Sequence, residues 1–323
     1  MFIPIFLFLL GLVMLVKGGD LFVDGAEGIA RKFAIPELII GATVVSVGTT
    51  LPEITVSVTS ALGGHGEIAY GNAIGSIICN ASLVAALSVA LRPTEADREV
   101  LKLPTVFFFI ASVIYIGAAY TFGRFSLWIG LALLAVFVMY MVFLLFEIKA
   151  ELKGKKDRCV GTDINGGRVW KLTLSLIAGA ALIAVGADLL VDNGTLIARE
   201  LGVSESVIAL TFIALGTSLP ELVTAITAIA KGHGALSLGN VIGANLLNLS
   251  LASGVAAVLS PFNIPNESEL LGINSSLVID LPVMLFSMAF LTVPALIRGR
   301  LERYQGIVLL VVYVAFCVLK FIA

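Results

Sequence analysis

The sequence predicts an all-α membrane protein in which ten transmembrane helices form two inverted five-helix repeats with broken helices at the core. Of its 323 residues, 59% are hydrophobic and 13% are charged, against about 25% charged residues in ordinary soluble domains. Its apolar stretches repeatedly exceed the roughly 18 to 20 residues that a helix needs to cross a bilayer. The two halves of the chain also share a sequence repeat. Together these observations predict the fold class.

The ten helices are predicted from apolar stretches that are separated by short polar segments or interrupted by Gly and Pro. They lie at residues 2–18, 38–62, 67–91, 104–121, 125–147, 170–191, 206–230, 235–259, 276–297 and 304–322. The first is expected to be a retained helix, because no basic segment precedes it and no small-residue cleavage site follows. One long polar connection divides the chain into a first repeat (1–147), a linker (148–169) and a second, inverted repeat (170–323).

Basic residues are concentrated on one side of these predicted helices. The loops after odd-numbered helices and the adjoining helix ends hold 17 of the 20 Lys and Arg residues, and the other side holds Arg124, Arg199 and Lys320. The positive-inside rule then places the linker in the cytoplasm and both termini outside. We therefore expect a multi-pass protein of the cell membrane.

The repeat relates residues that are 168 positions apart. This offset aligns residues 18–83 with residues 186–251 without a gap, and 27 of the aligned pairs are identical. Each half contains five predicted crossings, an odd number, so the second half must lie upside down relative to the first. Inverted repeats of this kind are typical of secondary transporters, whose ion sites lie near the midplane at broken helices.

The motif GTTLPE at residues 48–53 returns as GTSLPE at residues 216–221. Each proline removes a backbone donor, so carbonyls about one turn upstream lose their helical partners. Each glutamate adds a carboxylate whose presence in the bilayer centre costs roughly 3 kcal/mol unless it is compensated. The motifs also supply hydroxyls from Thr49, Thr50, Thr217 and Ser218. Such all-oxygen sets suit hard cations such as Ca²⁺, and Glu53 and Glu221 are predicted to bind one.

Two further paired segments, GNAIGSIICN and GNVIGANLLN, end at Asn80 and Asn248. Their GxxxG pairs, Gly71 with Gly75 and Gly239 with Gly243, are predicted to let helix backbones approach closely. Each asparagine follows its glutamate by 27 residues, the length needed to leave the midplane, turn and return. The two amides are therefore predicted to reach the depth of the glutamates.

The paired GT(S/T)LPE and GNxxG motifs resemble the α-repeats of prokaryotic sodium/calcium exchangers, within the cation/calcium antiporter superfamily, and the resemblance covers essentially the whole chain. It implies a secondary active antiporter that exchanges Na⁺ for Ca²⁺ by alternating access, with the first and sixth helices sliding across an ion-holding core. Carried over by residue, it implies Ca²⁺ ligands at Glu53 and Glu221, joined by the carbonyls of Thr49 and Thr217. It also implies Na⁺ ligands at the carbonyls of Ser46 and Ala214 and the hydroxyls of Thr50, Ser76 and Ser218. Asn80 and Asn248 would complete the centre.

Three positions depart from the family pattern. Members of the family can carry an acid at the position of Asn248 and often a serine at that of Ala244, and Ile77 replaces the commoner second asparagine of the motif. With Glu53 and Glu221 as the core acids, one Ca²⁺ leaves the occupied site neutral and three Na⁺ leave it at +1. Ca²⁺ extrusion is therefore expected to be electrogenic.

Other readings of these residues are structural. The glutamates can be protonated acids that hold helices together, Asn80 and Asn248 can bond helices to each other, and the hydroxyls can bond their own helices. His65 and His233 are predicted to be plain turn residues. Asp20 and Asp24, with their repeats Asp188 and Asp192, are predicted to be structural acids at helix ends.

Other functions also remain open. A Ca²⁺/H⁺ antiporter would use the same glutamates as proton carriers, and a cation channel is a different class. An intramembrane hydrolase is disfavoured, because the sequence has no HExxH motif or nucleophile-base arrangement, so no enzymatic activity is expected. No resident cofactor, nucleic acid or obligate protein partner is indicated. The expected partners are the transported ions, Ca²⁺ and Na⁺, and the lipid bilayer.

Overall fold

The structure is a computed structural model that describes residues 2–33, 35–156, 169–200, 216, 218–265, 269–270 and 273–322. Ten helical segments lie within these ranges. They are α1 Phe2–Phe33, α2 Glu37–Leu62, α3 Gly66–Leu91, α4 Arg98–Phe122, α5 Leu127–Lys156, α6 Val169–Glu200, α7 Leu219–Ala230, α8 Gly234–Leu259, α9 Ser276–Arg298 and α10 Arg303–Ile322. Nine of these are long and apolar enough to cross a bilayer, and α7 is a shorter apolar helix.

The first and sixth helices are longer than predicted and pack against each other in antiparallel orientation. A Cβ placed on Gly11 would lie 2.8 Å from the carbonyl oxygen of Gly186, and one on Gly18 would lie 3.0 Å from that of Gly179. At Gly25 the added atom would lie 2.8 Å from the amide nitrogen of Leu176. Glycines spaced by seven residues therefore let the two backbones approach along much of their length.

Four of the described helices contain a π-helical turn; one of these turns, Ser276–Asp280, begins α9, and the other three lie within their helices. These three turns are Gly41–Val45 in α2, Asn80–Val84 in α3 and Asn248–Ala252 in α8. The last two are 168 residues apart, so they occupy equivalent positions of the two repeats. π-Turns occur mostly as single insertions in α-helices and often mark functional sites.

The two Leu-Pro-Glu motifs take different local conformations. In the first repeat the helix continues through Pro52, and the π-turn lies farther upstream. In the second repeat α7 begins at Leu219, with Pro220 in its first turn, where a missing backbone donor costs little. The prediction of a helix at 206–218 concerns residues that, apart from Gly216 and Ser218, lie outside the described ranges.

Short antiparallel strands join loops from the two halves at each end of the bundle. Strands β1 (Thr94–Glu95) and β6 (Arg300–Leu301) pair at one end, and β2 (Arg124–Phe125) pairs with β3 (Phe262–Asn263) at the other. A hairpin of β4 (Glu269–Leu270) and β5 (Ile273–Asn274) adds to the second end. We call the end that carries β1 and β6 the first face and the end that carries β2 and β3 the second face. Loops after odd-numbered helices thus share the first face, as ten crossings require.

The glycine motifs that were predicted to allow close packing behave differently in the two repeats. A Cβ on Gly243 would lie 2.6 Å from the carbonyl oxygen of Ala42, and Gly239 contacts the backbone of Leu38, so α8 packs closely on α2. At Gly71 and Gly75 no atom of the described residues lies within 4 Å of an added Cβ. The prediction is therefore confirmed for the second pair and not met by the described contacts of the first.

Candidate functional site

Two glutamates, one from each repeat, are completely buried inside the bundle. Glu53 lies on α2 one residue after Pro52, and Glu221 lies in the first turn of α7 one residue after Pro220. Both side chains have 0% solvent exposure. The two prolines line one small cavity, which is also lined by Ala180, Ile183 and Ala184 of α6. The two motifs thus meet in the interior beside α6, as the repeat predicts.

A hydrogen bond connects the two motifs directly. The hydroxyl of Thr50 donates to Oε1 of Glu221 across the repeat boundary at 3.3 Å. The neighbouring hydroxyl of Thr49 donates to Oδ1 of Asn240 on α8 at 3.2 Å and also lies 3.4 Å from the carbonyl oxygen of Ser46. Thr49 therefore combines the predicted bond to its own helix with a contact to the opposite repeat.

The amides of Asn80 and Asn248 enter the same interior from α3 and α8. Both side chains have 0% exposure, and each asparagine is the first residue of a π-turn. A π-turn shifts the backbone bonding pattern from four residues to five, which changes the carbonyls available at that point. In α8 the hydroxyl of Ser253 donates to the carbonyl oxygen of Asn248 at 3.0 Å.

Several buried polar atoms of these residues have no hydrogen-bond partner among the described residues. They are Oε1 and Oε2 of Glu53, Oε2 of Glu221, Oγ of Ser218, and both amide atoms of Asn80 and of Asn248. Buried polar groups are normally satisfied, so a cluster of unpartnered oxygens suggests a ligand. No lysine or arginine of the described residues is buried, so none of them supplies the counter-charge in the interior.

The described part of the chain contains no cluster of three or more His, Cys, Asp and Glu residues that could hold a metal ion. A cation between Glu53 and Glu221 must therefore complete its shell with amide, hydroxyl and carbonyl oxygens. These are the ligand types that Ca²⁺ and other hard cations accept. The donor set fits a hard cation and offers little to a soft one.

The remaining predicted site residues are distributed as follows. Ser46, Ser76 and Ser218 are buried, with exposures of 0%, 3% and 2%. Ser46 lies at the start of the regular part of α2, directly after the π-turn, and its hydroxyl donates to the carbonyl oxygen of Thr43 at 3.1 Å. Thr217 and Ala214 lie outside the described residues, so their predicted roles remain predictions.

Sequence reasoning missed two asparagines, one on α3 and one on α8, that form hydrogen bonds with residues of α2. Asn72 on α3 donates from Nδ2 to the backbone carbonyl of Glu53 and to Oγ of Ser57, each at 2.9 Å. Asn240 on α8 accepts the hydroxyl of Thr49, as described above. The signal was present in the sequence, because both asparagines belong to the repeated Gly-Asn of GNxxG. Only the glycines of that motif had been given a role.

The inverted helical repeats and the buried, oxygen-lined pair of acids define a cation-transporting membrane protein. Comparison with known sequences agrees, since the sequence model of the family described as sodium/calcium exchanger protein matches residues 3–146 and 171–322. The chain belongs to this family.

Similar proteins occur in archaea and bacteria. The chain is 35% identical to the uncharacterised membrane protein MJ0091 of Methanocaldococcus jannaschii, over 95% of this chain and 94% of that protein. It is 30% identical to the sodium/calcium exchanger MaX1 of Methanosarcina acetivorans, covering 97% of each. It is also 33% identical to the putative antiporter CaxA of Alkalimonas amylolytica, again over 97% of both chains.

A solved structure shows the same architecture. The sodium-calcium exchanger NCX_Mj, soaked with zero Na⁺ and Ca²⁺, superimposes with a TM-score of 0.78 and 34% sequence identity, over 97% of each chain. The similarity confirms the predicted fold class and the antiporter class of the chain.

Proposed function

We propose that this antiporter exchanges Na⁺ for Ca²⁺ by alternating access and uses the exchange to extrude Ca²⁺. The observation that carries the proposal is the pair of fully buried carboxylates, Glu53 and Glu221, whose oxygens largely lack partners and which no buried Lys or Arg of the described residues neutralises. Two buried carboxylates without compensation are costly in a membrane interior. A bound divalent cation supplies the compensation.

In this proposal Glu53 and Glu221 are the central Ca²⁺ ligands. The amides of Asn80 and Asn248 complete the centre, and the carbonyls of Thr49 and Thr217 join the shell. The same carboxylates bind Na⁺ in the other half of the cycle, together with the hydroxyls of Thr50, Ser76 and Ser218 and the carbonyls of Ser46 and Ala214. Sharing the acids makes occupancy by Ca²⁺ and by Na⁺ mutually exclusive, as exchange requires.

The hydroxyls favour Na⁺ over H⁺ as the counter-ion. A proton needs only a carboxylate, whereas Na⁺ needs several oxygens around it. Ser46, Ser76 and Ser218 are buried, as the glutamates are, and Thr50 bonds directly to Glu221. The names of the relatives support this choice, because MaX1 and NCX_Mj are both called sodium/calcium exchangers.

The orientation follows from the distribution of basic residues. The first face carries the loops after odd-numbered helices, which hold most of the Lys and Arg residues. We assign the first face to the cytoplasm by the positive-inside rule. The linker at 148–169 is then cytoplasmic, and it separates an N-terminal repeat at 1–147 from an inverted repeat at 170–323.

The test is a flux assay that resolves the counter-ion. The purified protein is reconstituted into proteoliposomes, and ⁴⁵Ca²⁺ movement is measured under an imposed Na⁺ gradient at uniform pH, then under a pH gradient without Na⁺. We expect Ca²⁺ movement that depends on Na⁺ and saturates. Flux driven by the pH gradient alone would assign the protein to the Ca²⁺/H⁺ antiporters. Unsaturable flux that needs no counter-ion would indicate a channel.

A further inference from the structure

The turn between α7 and α8 connects the core to the end of α1 through ionic contacts. This turn, Lys231 to His233, lies on the first face. Nζ of Lys231 lies 2.7 Å from Oδ1 of Asp24 and 3.3 Å from Oδ1 of Asp20, both on α1. Burial alone would lower the pKa of Lys231, but its bonds to Asp24 and Asp20 raise it, so the ammonium remains charged throughout the neutral pH range. The carboxylates of Asp20 and Asp24 on α1 therefore pair with a positively charged lysine of the α7–α8 turn.

His233 lies between two carboxylates that belong to different parts of the molecule. Its Nδ1 lies 3.0 Å from Oε1 of Glu37 at the start of α2, and its Nε2 lies 3.4 Å from Oε2 of Glu27 on α1. The His233 side chain is only 14% exposed. A neutral imidazole carries one N–H and can donate to one carboxylate only, whereas an imidazolium donates to both. The arrangement therefore fits the protonated ring.

Loss of the proton would affect the two contacts unequally. The neutral ring keeps one N–H, and the shorter contact, to Glu37, lies within the core. The contact to Glu27 would then place a nitrogen lone pair against a carboxylate. Deprotonation of His233 thus removes one of the contacts between α1 and the core, while the pairs of Lys231 with Asp20 and Asp24 remain and the turn stays attached to α2.

The equivalent turn in the first repeat lacks these contacts. His65 has the same backbone conformation as His233, with φ −100° and ψ 57° against φ −96° and ψ 54°. The side chain of His65, however, is exposed and forms no ion pair within the described residues. Gly63 stands where the second repeat has Lys231, so the cation that faces Asp20 and Asp24 has no counterpart at this turn.

We infer that His233 is a proton-binding site that latches α1 to the core at the first face, which the proposed function assigns to the cytoplasm. The inference rests on that function, because alternating access requires α1 to shift across the core. Protonation completes the bridge from Glu27 to Glu37 and holds α1 in place. Histidine ordinarily changes charge between pH 5 and 8, so cytoplasmic acidification slows exchange.

Arg31 and Arg92 also lie near this latch. Arg31 of α1 pairs with Glu27 at 2.6 Å, a contact within α1 that does not bridge to the core. Arg92 at the end of α3 approaches the turn, because a Cβ on Gly232 would lie 3.6 Å from its Nη1. These arginines and Lys231 do not change charge in the range in which histidine does.

The first experiment compares pH profiles of transport. Na⁺-dependent ⁴⁵Ca²⁺ flux is measured in proteoliposomes at equal pH on both sides, from pH 8 to pH 6, for the wild type, His233→Gln and His65→Gln. Any slowing that comes from protonation of the core glutamates should be common to all three proteins. Between pH 8 and pH 6 we expect the flux of the wild type and of His65→Gln to fall by a further factor of about two to five, the range for a modest ion pair. The flux of His233→Gln should lack this additional decrease. Superimposable profiles for wild type and His233→Gln would overturn the inference.

The second experiment does not depend on transport, so it separates this inference from the proposed function. Hydrogen–deuterium exchange of residues 20–33 is compared between the wild type and His233→Gln at the same pH. Hydrogen–deuterium exchange of this segment should be faster in His233→Gln than in the wild type at pH 6, and equally fast in both proteins at pH 8. Glu27→Gln removes the negative charge that attracts the protonated ring from the α1 side, and it should likewise make hydrogen–deuterium exchange of this segment faster at pH 6. Equal exchange at pH 6 in all three proteins would contradict the latch, whatever ion drives transport.

Discussion

Thr50 of the first repeat donates a hydrogen bond to Glu221 of the second repeat, with 3.3 Å between the two oxygens. The bond joins two residues that are 171 positions apart in the chain. In the proposed site neither repeat is sufficient alone, because each supplies one carboxylate and one amide. A change in the relative position of the repeats therefore changes the coordination of a bound ion.

Removal of either core charge should abolish Ca²⁺ transport. Glu53→Gln and Glu221→Gln keep the shape of the side chain but remove a charge that offsets the dehydration of a divalent ion. We expect ⁴⁵Ca²⁺ flux to fall to background while the protein keeps its elution volume in size-exclusion chromatography. Glu67→Gln, at an exposed glutamate on α3, is the matched control and should retain wild-type flux. Near-normal flux in either core variant would exclude the proposed site.

The bond from Asn72 should affect ion affinity through the position of Glu53. Asn72→Ala removes two hydrogen bonds, one to the Glu53 carbonyl and one to Ser57. Loss of such bonds costs about 1–3 kcal/mol where a buried partner is left unsatisfied. We expect the Ca²⁺ concentration for half-maximal flux to rise about tenfold, with a smaller change in maximal rate.

Asn72→Gln serves as the control for this substitution, because it keeps the amide and should recover part of the affinity. If Asn72 serves only to pack α3 on α2, Asn72→Ala would lower thermal stability and leave the half-maximal Ca²⁺ concentration unchanged.

The repeat, the core acids and the approximate helix positions could be predicted from the sequence because they depend on local patterns. Glu53 and Glu221 stand out since a carboxylate in an apolar helix is exceptional, whatever surrounds it. The predicted end of α1, at residue 18, is too early, because the helix continues through Asp20 and Asp24 to Phe33. These acids instead face Lys231 on another element.

Other features depend on tertiary contacts that no local pattern reveals. The π-turns at Asn80 and Asn248 differ from an α-helix by one residue in the bonding pattern, and the same residues could form either. The contact between Thr49 and Asn240 joins residues 191 positions apart. The two LPE motifs were expected to behave alike, yet one lies within a helix and the other begins one.

The glycines between α1 and α6 should be required for stability. Gly18→Ala places a Cβ 2.9 Å from the amide nitrogen of Ile183 and 3.0 Å from the carbonyl oxygen of Gly179. Both are backbone atoms, which cannot move away from the added Cβ as easily as a flexible side chain can. Overpacking of this kind typically costs about 1–3 kcal/mol. We expect a lower midpoint of thermal unfolding in detergent. Gly117→Ala on α4 is the control, because the described residues leave space for its Cβ; equal midpoints for the two variants would contradict close α1–α6 packing.

Ala244 should limit the affinity for Na⁺. It is completely buried on α8, and its equivalent in the first repeat is Ser76. Ala244→Ser adds a hydroxyl where the first repeat already has one, so the Na⁺ concentration for half-maximal exchange should fall and the Ca²⁺ affinity should stay nearly constant. Ser76→Ala is the reciprocal change and should raise that Na⁺ concentration. An unchanged Na⁺ dependence in Ala244→Ser would show that the position only fills space.

Exchange should move net charge across the membrane. Asn80 and Asn248 are neutral amides, so the core acids are Glu53 and Glu221, and together they carry about two negative charges when a divalent cation is bound. One Ca²⁺ leaves this core neutral, whereas three Na⁺ leave it at +1, so the Na⁺-loaded crossing carries the charge. Moving one charge through 100 mV is worth about 2.3 kcal/mol, roughly a fiftyfold bias in the Ca²⁺ gradient.

This charge balance is tested in proteoliposomes whose membrane potential is set by K⁺ and valinomycin. An inside-negative potential should accelerate Na⁺ entry coupled to Ca²⁺ exit, and a reversed potential should slow it. The control is the same assay at zero potential with valinomycin present, which isolates the effect of voltage from that of the ionophore. Voltage-independent exchange would indicate two Na⁺ per Ca²⁺, because only that ratio leaves both loaded states of a core with two carboxylates neutral.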